Sequence, residues 1–571
     1  MKRPLAGILA IIALSLTISC KQRTEDPSPP AEPETCETFE TYGGVNSVPA
    51  HPGEMPSDGD WLIYRLGAEP PTLNPIILVD LYGQMITGFM MDGLIKMDIK
   101  TQEFKPALAE RWEISEDKLS FTFYLRKDVK WHDGAPFTAD DVVYSFERIM
   151  DPKVDAAVAR SFYAQVKKVE KLDDYTVRFI WKKPYFKALE FSAGMSVVPR
   201  HILDDGTEFN RHPFARNPVF TGSYRFVEWK TGQEIVIERN PSYWGQKPHI
   251  RRIVFRIITN DDAALLAFKE GRVDFLDRLN PIQWVKQTNS RSFLAKAHKL
   301  YYDYPQYRYI GWNLRRPLFA EVRVRRAMTM MLNREAILKN IMYCLGKIVS
   351  GNSYINTPYY DQSIEPWPYD PEQAEKILDQ AGWSDHDGDG LRDKDGKPFR
   401  FEFAFTAEVP FWERLATIYK EDLEKIGVDM VIRRFEWAVF LQNVQEWQFD
   451  ACGMGWALGT DPDFFQLWHS SQADIKGSSN HVGFKNNEMD RLIELNRREF
   501  KKQKRIQYAH QVHRILHEQQ PYTFLFNAKR LTVIDKRFHN IIPYAIRPIF
   551  EFDEWYIPQD LQKYTTPAPM P

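Results

Sequence analysis

Residues 106–150, PALAERWEISEDKLSFTFYLRKDVKWHDGAPFTADDVVYSFERIM, constrain this chain more than any other stretch. Phe121, Phe123 and Leu125 alternate with Thr122, Tyr124 and Arg126, the period of a strand with one buried face. The turn His132-Asp133-Gly134 follows. Thr138 then stands ahead of Ala139-Asp140-Asp141, which reads as an N-cap with acids in the first helical turn. Val142, Val143, Phe146 and Ile149 make that helix's apolar face. A strand, a glycine turn and a capped helix are each common; the literal run LRKDVKWHDGAPFTADDVVYSFERI is not.

At 571 residues the chain exceeds one ordinary core, so two or three domains are expected. Lys and Arg number 75 against 77 Asp and Glu, with no long run of one sign, which argues against binding nucleic acid or a membrane surface through bulk charge. Lys2 and Arg3 precede an apolar stretch over residues 5–16 that is too short to span a bilayer and ends in Leu16-Thr17-Ile18-Ser19-Cys20. This resembles a lipoprotein signal over residues 1–19, cut so that Cys20 carries lipid, although Thr17 stands where Leu is usual. Residues 20–59 are rich in Pro, Glu, Ser and Gly and predict a flexible tether. Cys36, Cys344 and Cys452 then leave room for at most one disulfide, and Cys344 and Cys452 read as buried apolar thiols.

The 125–149 run closely resembles the signature of the family 5 extracellular solute-binding proteins, the oligopeptide-, dipeptide- and nickel-binding receptors of ABC importers. Further family-like motifs follow in order: the loop from Glu69 to Pro75, the Asn240-Pro241-Ser242-Tyr243-Trp244 ending, Gly271-Arg272-Val273-Asp274-Phe275, and Tyr309-Ile310-Gly311-Trp312-Asn313. The resemblance spans residues 60 to about 555. It implies an α/β periplasmic-binding-protein fold of type II, in its large three-domain form, with two lobes and two hinge crossings near 309–313 and 522–527. It divides the chain into a first lobe (60–100 and 219–312), an inserted α/β domain (101–218), a second lobe (313–524) and a return to the first lobe with a tail (525–571).

The chemistry-bearing residue types do not converge on a catalytic pattern. There is no zinc-protease motif, nucleophile elbow, P-loop or paired cysteine set, and an enzyme is not expected. His132 reads as a solvent-facing imidazole. The loop 385–396 places Asp385, Asp387, Asp389 and Asp393 at positions 1, 3, 5 and 9 of an EF-hand-like spacing, with Gly390 at position 6. Position 12 is Gly396, so the loop is either a turn or a structural calcium site, and no other cofactor is expected.

For the ligand, the resemblance points to Trp437 and Trp456 as pocket walls, since flat aromatic faces suit varied side chains. Peptide-binding members carry an Asp three residues after the second Trp, paired with the ligand's α-amino group; here Gly459 stands there, with Asp461 the nearest substitute. Leu81 on the first lobe and Tyr163 in the inserted domain fall where relatives line the cleft. The expected function is therefore a monomeric, lipid-anchored receptor on the periplasmic side that binds oligopeptides and delivers them to an ABC permease. A nickel chelate, an opine, an oligosaccharide or an antimicrobial peptide are the alternative ligands, and a tethered chaperone the alternative class.

Overall fold

The computed structural model describes residue 36 and residues 42–564. Among them, three sheets of four or more strands organise the chain. The largest has eight strands, in the order Ala297–Asp303, Phe526–Asp535, Phe275–Leu276, Gly59–Leu66, Ile250–Ile257, Glu234–Arg239 and Tyr224–Lys230, with Gly346–Ile348 laid on Phe526–Asp535. Gly59–Leu66 is parallel to Ile250–Ile257 and Phe275–Leu276. Its Leu62, Ile63, Tyr64 and Leu66 are all buried, as a strand covered on both faces requires. The second sheet runs Asp429–Phe435, Arg400–Thr406, Ala451–Ala457, Gln306–Trp312, Tyr522–Phe524, the first three mutually parallel. The third is an antiparallel sheet of Ala109–Ile114, Ser120–Leu125, Thr176–Trp181 and Val166–Asp173.

The signature run builds that third sheet and locks it in place. Phe121, Phe123 and Leu125 are buried on Ser120–Leu125. Thr138 caps the helix Ala139–Met150 in a capping box with Asp141, whose carboxylate also accepts from the Trp131 indole at 3.3 Å. The helix is covered on more than the expected face. Tyr144 and Ser145 are buried, and the Tyr144 hydroxyl donates to the Leu203 carbonyl at 2.7 Å, while Val143 and Phe146 stay half-buried. His132 is not solvent-facing. Its Nδ1 accepts from the Phe220 amide at 3.2 Å and its Nε2 donates to the Gly222 carbonyl at 3.1 Å; burial lowers its pKa to about 4, so the ring is neutral. Gly222 in turn donates to the Met90 carbonyl at 2.7 Å, and a Cβ there would run into Met90's backbone. The motif thus clamps the third sheet to the largest one, and the two bury a single continuous core.

Two expectations about the chain path need correction. The first crossing lies at Tyr304-Pro305, before the predicted 309–313, because Gln306–Trp312 is already a strand of the second sheet, paired with Ala451–Ala457 and Tyr522–Phe524. The second-lobe sheet therefore begins near residue 306 and not at 313. The chain returns through Leu525, between Tyr522–Phe524 and Phe526–Asp535.

The tether also ends sooner than residue 59. From residue 42 the chain is strapped to the first lobe: Val45 bridges to Leu300, Val48 to Ile541, and the buried Lys299 ammonium donates to the Tyr42 carbonyl at 2.6 Å. Burial lowers the Lys299 pKa to about 7, and three oxygen acceptors satisfy it in place of an acid. Cys344 is not a free thiol, because the strap brings Cys36 to it, with Cα atoms 5.2 Å apart, in a disulfide. A pairing across 308 residues is set by where the strap docks, which spacing does not reveal. Cys452 is free and buried, and burial raises its thiol pKa. Residues 1–19 and Cys20 lie outside the described residues.

Candidate functional site

The parallel strands Arg400–Thr406, Asp429–Phe435 and Ala451–Ala457 end along one edge of the second sheet, the side on which open α/β sheets hold ligands. That edge is also where the chain changes lobes: the Leu458 amide donates to the Pro305 carbonyl at 2.8 Å. The Asn527 side chain ties the two crossings together, donating to the carbonyls of Tyr304 (2.8 Å) and Gln306 (2.6 Å). On the first lobe, the loop after Phe275–Leu276 meets the same hinge, with Asp277 paired to Arg530 at 2.6 Å. The cleft therefore lies between the carboxyl edges of both sets of parallel strands.

Trp437 opens the helix Trp437–Gln445, capped by Glu436, and is 48% exposed. Its ring stands 6.0 Å from Phe440. Trp456 is half-buried on Ala451–Ala457, where its inner face lies parallel to Tyr309 (6.5 Å, 8°) and near His481 (5.9 Å). Tyr309 and Tyr522 stack at 3.8 Å behind it. His481 is kept neutral by burial, which lowers its pKa to about 3. Trp456 is thus backed by aromatic rings, and Trp437 is a free-standing wall. Gly459 is exposed, and a Cβ built on it would touch nothing within 4 Å. Asp461 is not a lone acid: Arg505, itself buried, pairs with its Oδ2 at 2.6 Å.

On the first lobe, Leu81 is 56% exposed at the start of Leu81–Met90, just after the Asp80 cap. Tyr163 is buried, with its hydroxyl donating to the Phe191 carbonyl at 3.1 Å, and burial raises its pKa. Its ring lines a cavity of about 370 Å³ together with Leu78, Val79, Phe162 and Phe191. The structure therefore sets Tyr163 against the segment that carries Leu81, and Trp437, Trp456, Gly459 and Asp461 along one edge of the other lobe.

The family model for bacterial extracellular solute-binding proteins, family 5 middle, matches residues 103–477. The chain belongs to this family. The oligopeptide-binding protein AppA of Bacillus subtilis is 30% identical over 525 residues, covering 88% of this chain and 93% of that protein. The solved structure of AppA from Bacillus subtilis in complex with a nonapeptide superposes with a TM-score of 0.77 at 28% identity, over 88% of this chain and all of that one. NikZ from Campylobacter jejuni, in complex with Ni(L-His), gives 0.75 at 26% identity, over 87% and 99%. The fold is the two-lobed α/β periplasmic-binding-protein fold of family 5 solute-binding proteins, and the family is one of binding proteins. Among the described residues no helix is long and apolar enough to cross a membrane.

Two features of the site went unread in the sequence. Arg308 faces the hinge from Gln306–Trp312 with its guanidinium over the Phe411 ring at 4.3 Å. It has no acidic partner among the described residues, and burial, with Arg278 near by, lowers its pKa to about 10. A lone Arg inside the apolar run YRYIGW was its only sequence signal. The second feature joins the inserted domain to the second lobe. The Tyr185 hydroxyl donates to Asp463 at 2.8 Å, the Phe186 amide to the Arg497 carbonyl at 2.9 Å, and Arg497 pairs with Asp463 at 3.2 Å.

In the loop 385–396, Asp385, Asp387 and Asp393 bring one carboxylate oxygen each within 4.8 Å of the others. Asp389 is not part of that group and accepts from the Leu391 amide at 2.8 Å. Asp385 accepts from the amides of Gly388 and Gly390, so this loop's acids also hold its own turns.

Proposed function

We propose that this family 5 protein binds oligopeptides between its lobes and delivers them to an ABC permease, without chemistry on the ligand. The observation that carries the reading is the placement of exposed Trp437 and half-buried Trp456 on the carboxyl edge beside both crossings. Aromatic walls accept varied side chains, and extended main chain can hydrogen-bond to cleft strands without its sequence being read. Closure about Tyr304-Pro305 and Leu525 then buries the ligand. Native mass spectrometry of the purified protein, followed by fragmentation of whatever it retains, tests this: a peptide ladder supports it, and a metal chelate, opine or sugar replaces it.

Gly459 and the Asp461–Arg505 pair favour a specific form of the reading. Gly459 supplies no carboxylate at the position where peptide-binding relatives hold an amine and Asp461 is paired with Arg505, whereas Arg308 has no acidic partner among the described residues. The ligand is accordingly bound through an anionic group and tolerates a blocked N-terminus. Calorimetry on matched free and N-acetylated peptides decides this; a strong preference for the free amine would overturn it.

The lipid anchor at Cys20, the signal over 1–19, the periplasmic monomer and a structural calcium at Asp385, Asp387 and Asp393 belong to the same proposal. Cys20→Ser is expected to abolish incorporation of labelled fatty acid and release a folded protein.

A further inference from the structure

The amino edge of the largest sheet, far from the cleft, gathers histidines. His51-Pro52-Gly53-Glu54 forms a tight turn, with the Glu54 amide donating to the His51 carbonyl at 3.1 Å and Gly53 at φ +81°. Pro at the second position and a left-handed Gly at the third are what a type II turn requires, so this turn is rigid before anything binds. It sets the His51 and Glu54 side chains together against His539, which follows the return strand Phe526–Asp535. Donor atoms of His51, Glu54 and His539 all lie within 4.8 Å of one another. The rings of His51 and His539 are 4.9 Å apart, edge to face, and His539 Nδ1 is 2.8 Å from Glu54. Tyr556 donates to the same Glu54 oxygen at 2.8 Å.

We propose that His51, Glu54 and His539 form a binding site for a divalent transition-metal ion, best suited to Zn²⁺, that cross-links the N-terminal strap to the C-terminal segment. Two imidazoles and a carboxylate are the donor set of three-ligand zinc sites, with water completing the tetrahedron. Hard cations such as Ca²⁺ and Mg²⁺ prefer all-oxygen shells and fit poorly. Tyr556 also donates to the Glu54 carboxylate, an outer contact of the kind that orients a metal ligand. The site is separate from the ligand cleft: it joins residues 485 apart at the edge where the strap bridges Val48 to Ile541.

The test uses the purified protein stripped with a chelator, then titrated with Zn²⁺ or Ca²⁺ by calorimetry. One Zn²⁺ per chain is expected, in the micromolar range or tighter, with Ca²⁺ far weaker. His51 is exposed, so His51→Ala is expected to keep the fold and weaken Zn²⁺ at least tenfold. Glu54→Gln is expected to do the same, while Asp117→Asn, in the turn between Ala109–Ile114 and Ser120–Leu125, leaves Zn²⁺ unchanged. X-ray absorption on the loaded protein is expected to show imidazole nitrogens at about 2.0–2.1 Å. Absence of Zn²⁺ binding, oxygen-only coordination, or unchanged binding in both His51→Ala and Glu54→Gln would overturn the assignment.

Discussion

Two edges of the molecule are built on opposite plans. At the amino edge of the first lobe's parallel strands, Asp60 begins Gly59–Leu66 and Asp274 precedes Phe275–Leu276. Both are buried and both bind Arg537, Asp274 at 2.6 Å, while Asp274 also accepts from the Ile63 amide at 3.0 Å. At the carboxyl edge of the second lobe, Trp437 and Gly459 face open space and Trp456 shows one side. One edge is sealed by charge, by the strap from residue 42 and by the segment that follows the return strand. The other is left short of partners, and that shortage is what a ligand can fill.

Breaking the sealed edge has the largest expected effect. Arg537→Met strands two buried carboxylates and is expected to cost about 3–5 kcal/mol of stability by urea denaturation, because an uncompensated buried charge is far worse than none. A loss below about 1 kcal/mol would show that water reaches the network. At the open edge the effect moves from stability to binding. Trp437→Ala is expected to weaken ligand binding by about 1–3 kcal/mol in calorimetry with little change in melting temperature. Trp456→Ala is expected to weaken binding similarly and also lower the melting temperature, since Tyr309 and His481 lose a packing partner.

The contact between inserted domain and second lobe ranks next. Tyr185→Phe removes the donor to Asp463 and is expected to speed ligand release and weaken affinity by about 1–2 kcal/mol. An unchanged off-rate in stopped-flow would mean closure does not depend on it.

A smaller effect should appear in the pH profile. Burial raises both Asp92 and Asp553 to about 6, so the folded protein holds protons that the unfolded chain releases near the ordinary carboxylate value. Their contribution is present at pH below about 4 and is lost as pH rises through 6. Asp553→Asn is expected to flatten that part of the stability–pH curve; a parallel curve would remove Asp553 from the account. Smallest is the acidic loop, where adding Ca²⁺ is expected to raise the denaturation midpoint slightly and leave ligand affinity alone.

The signature run was legible because its constraints are local. Thr138 and Asp141 cap a helix within three residues, and Phe121, Phe123 and Leu125 need only a pleated strand. The role of His132 was not legible, since its two partners, Phe220 and Gly222, arrive about ninety residues later. The same holds for Asp461, whose look as a free acid ended once Arg505 came within 2.6 Å. The aromatic pair Trp437 and Trp456 could be named from the sequence, but not that one is a bare wall and the other backed by Tyr309, Tyr522 and His481.

By itself, then, the sequence determined the family, the α/β class and the capped helix after the signature turn, and it singled out Trp437 and Trp456. The helix and its turn are properties of neighbours in the chain, fixed by turn chemistry and steric limits on the backbone, while the family and the class were carried by the resemblance of its ordered motifs. Only the tertiary structure decided which acids and cations are spent on each other, where the chain changes lobes, that the strap from residue 42 is docked, and that Cys36 meets Cys344. Charge pairing and burial depend on distance through space, and residues hundreds apart carry no local mark of the partner that folding will bring them.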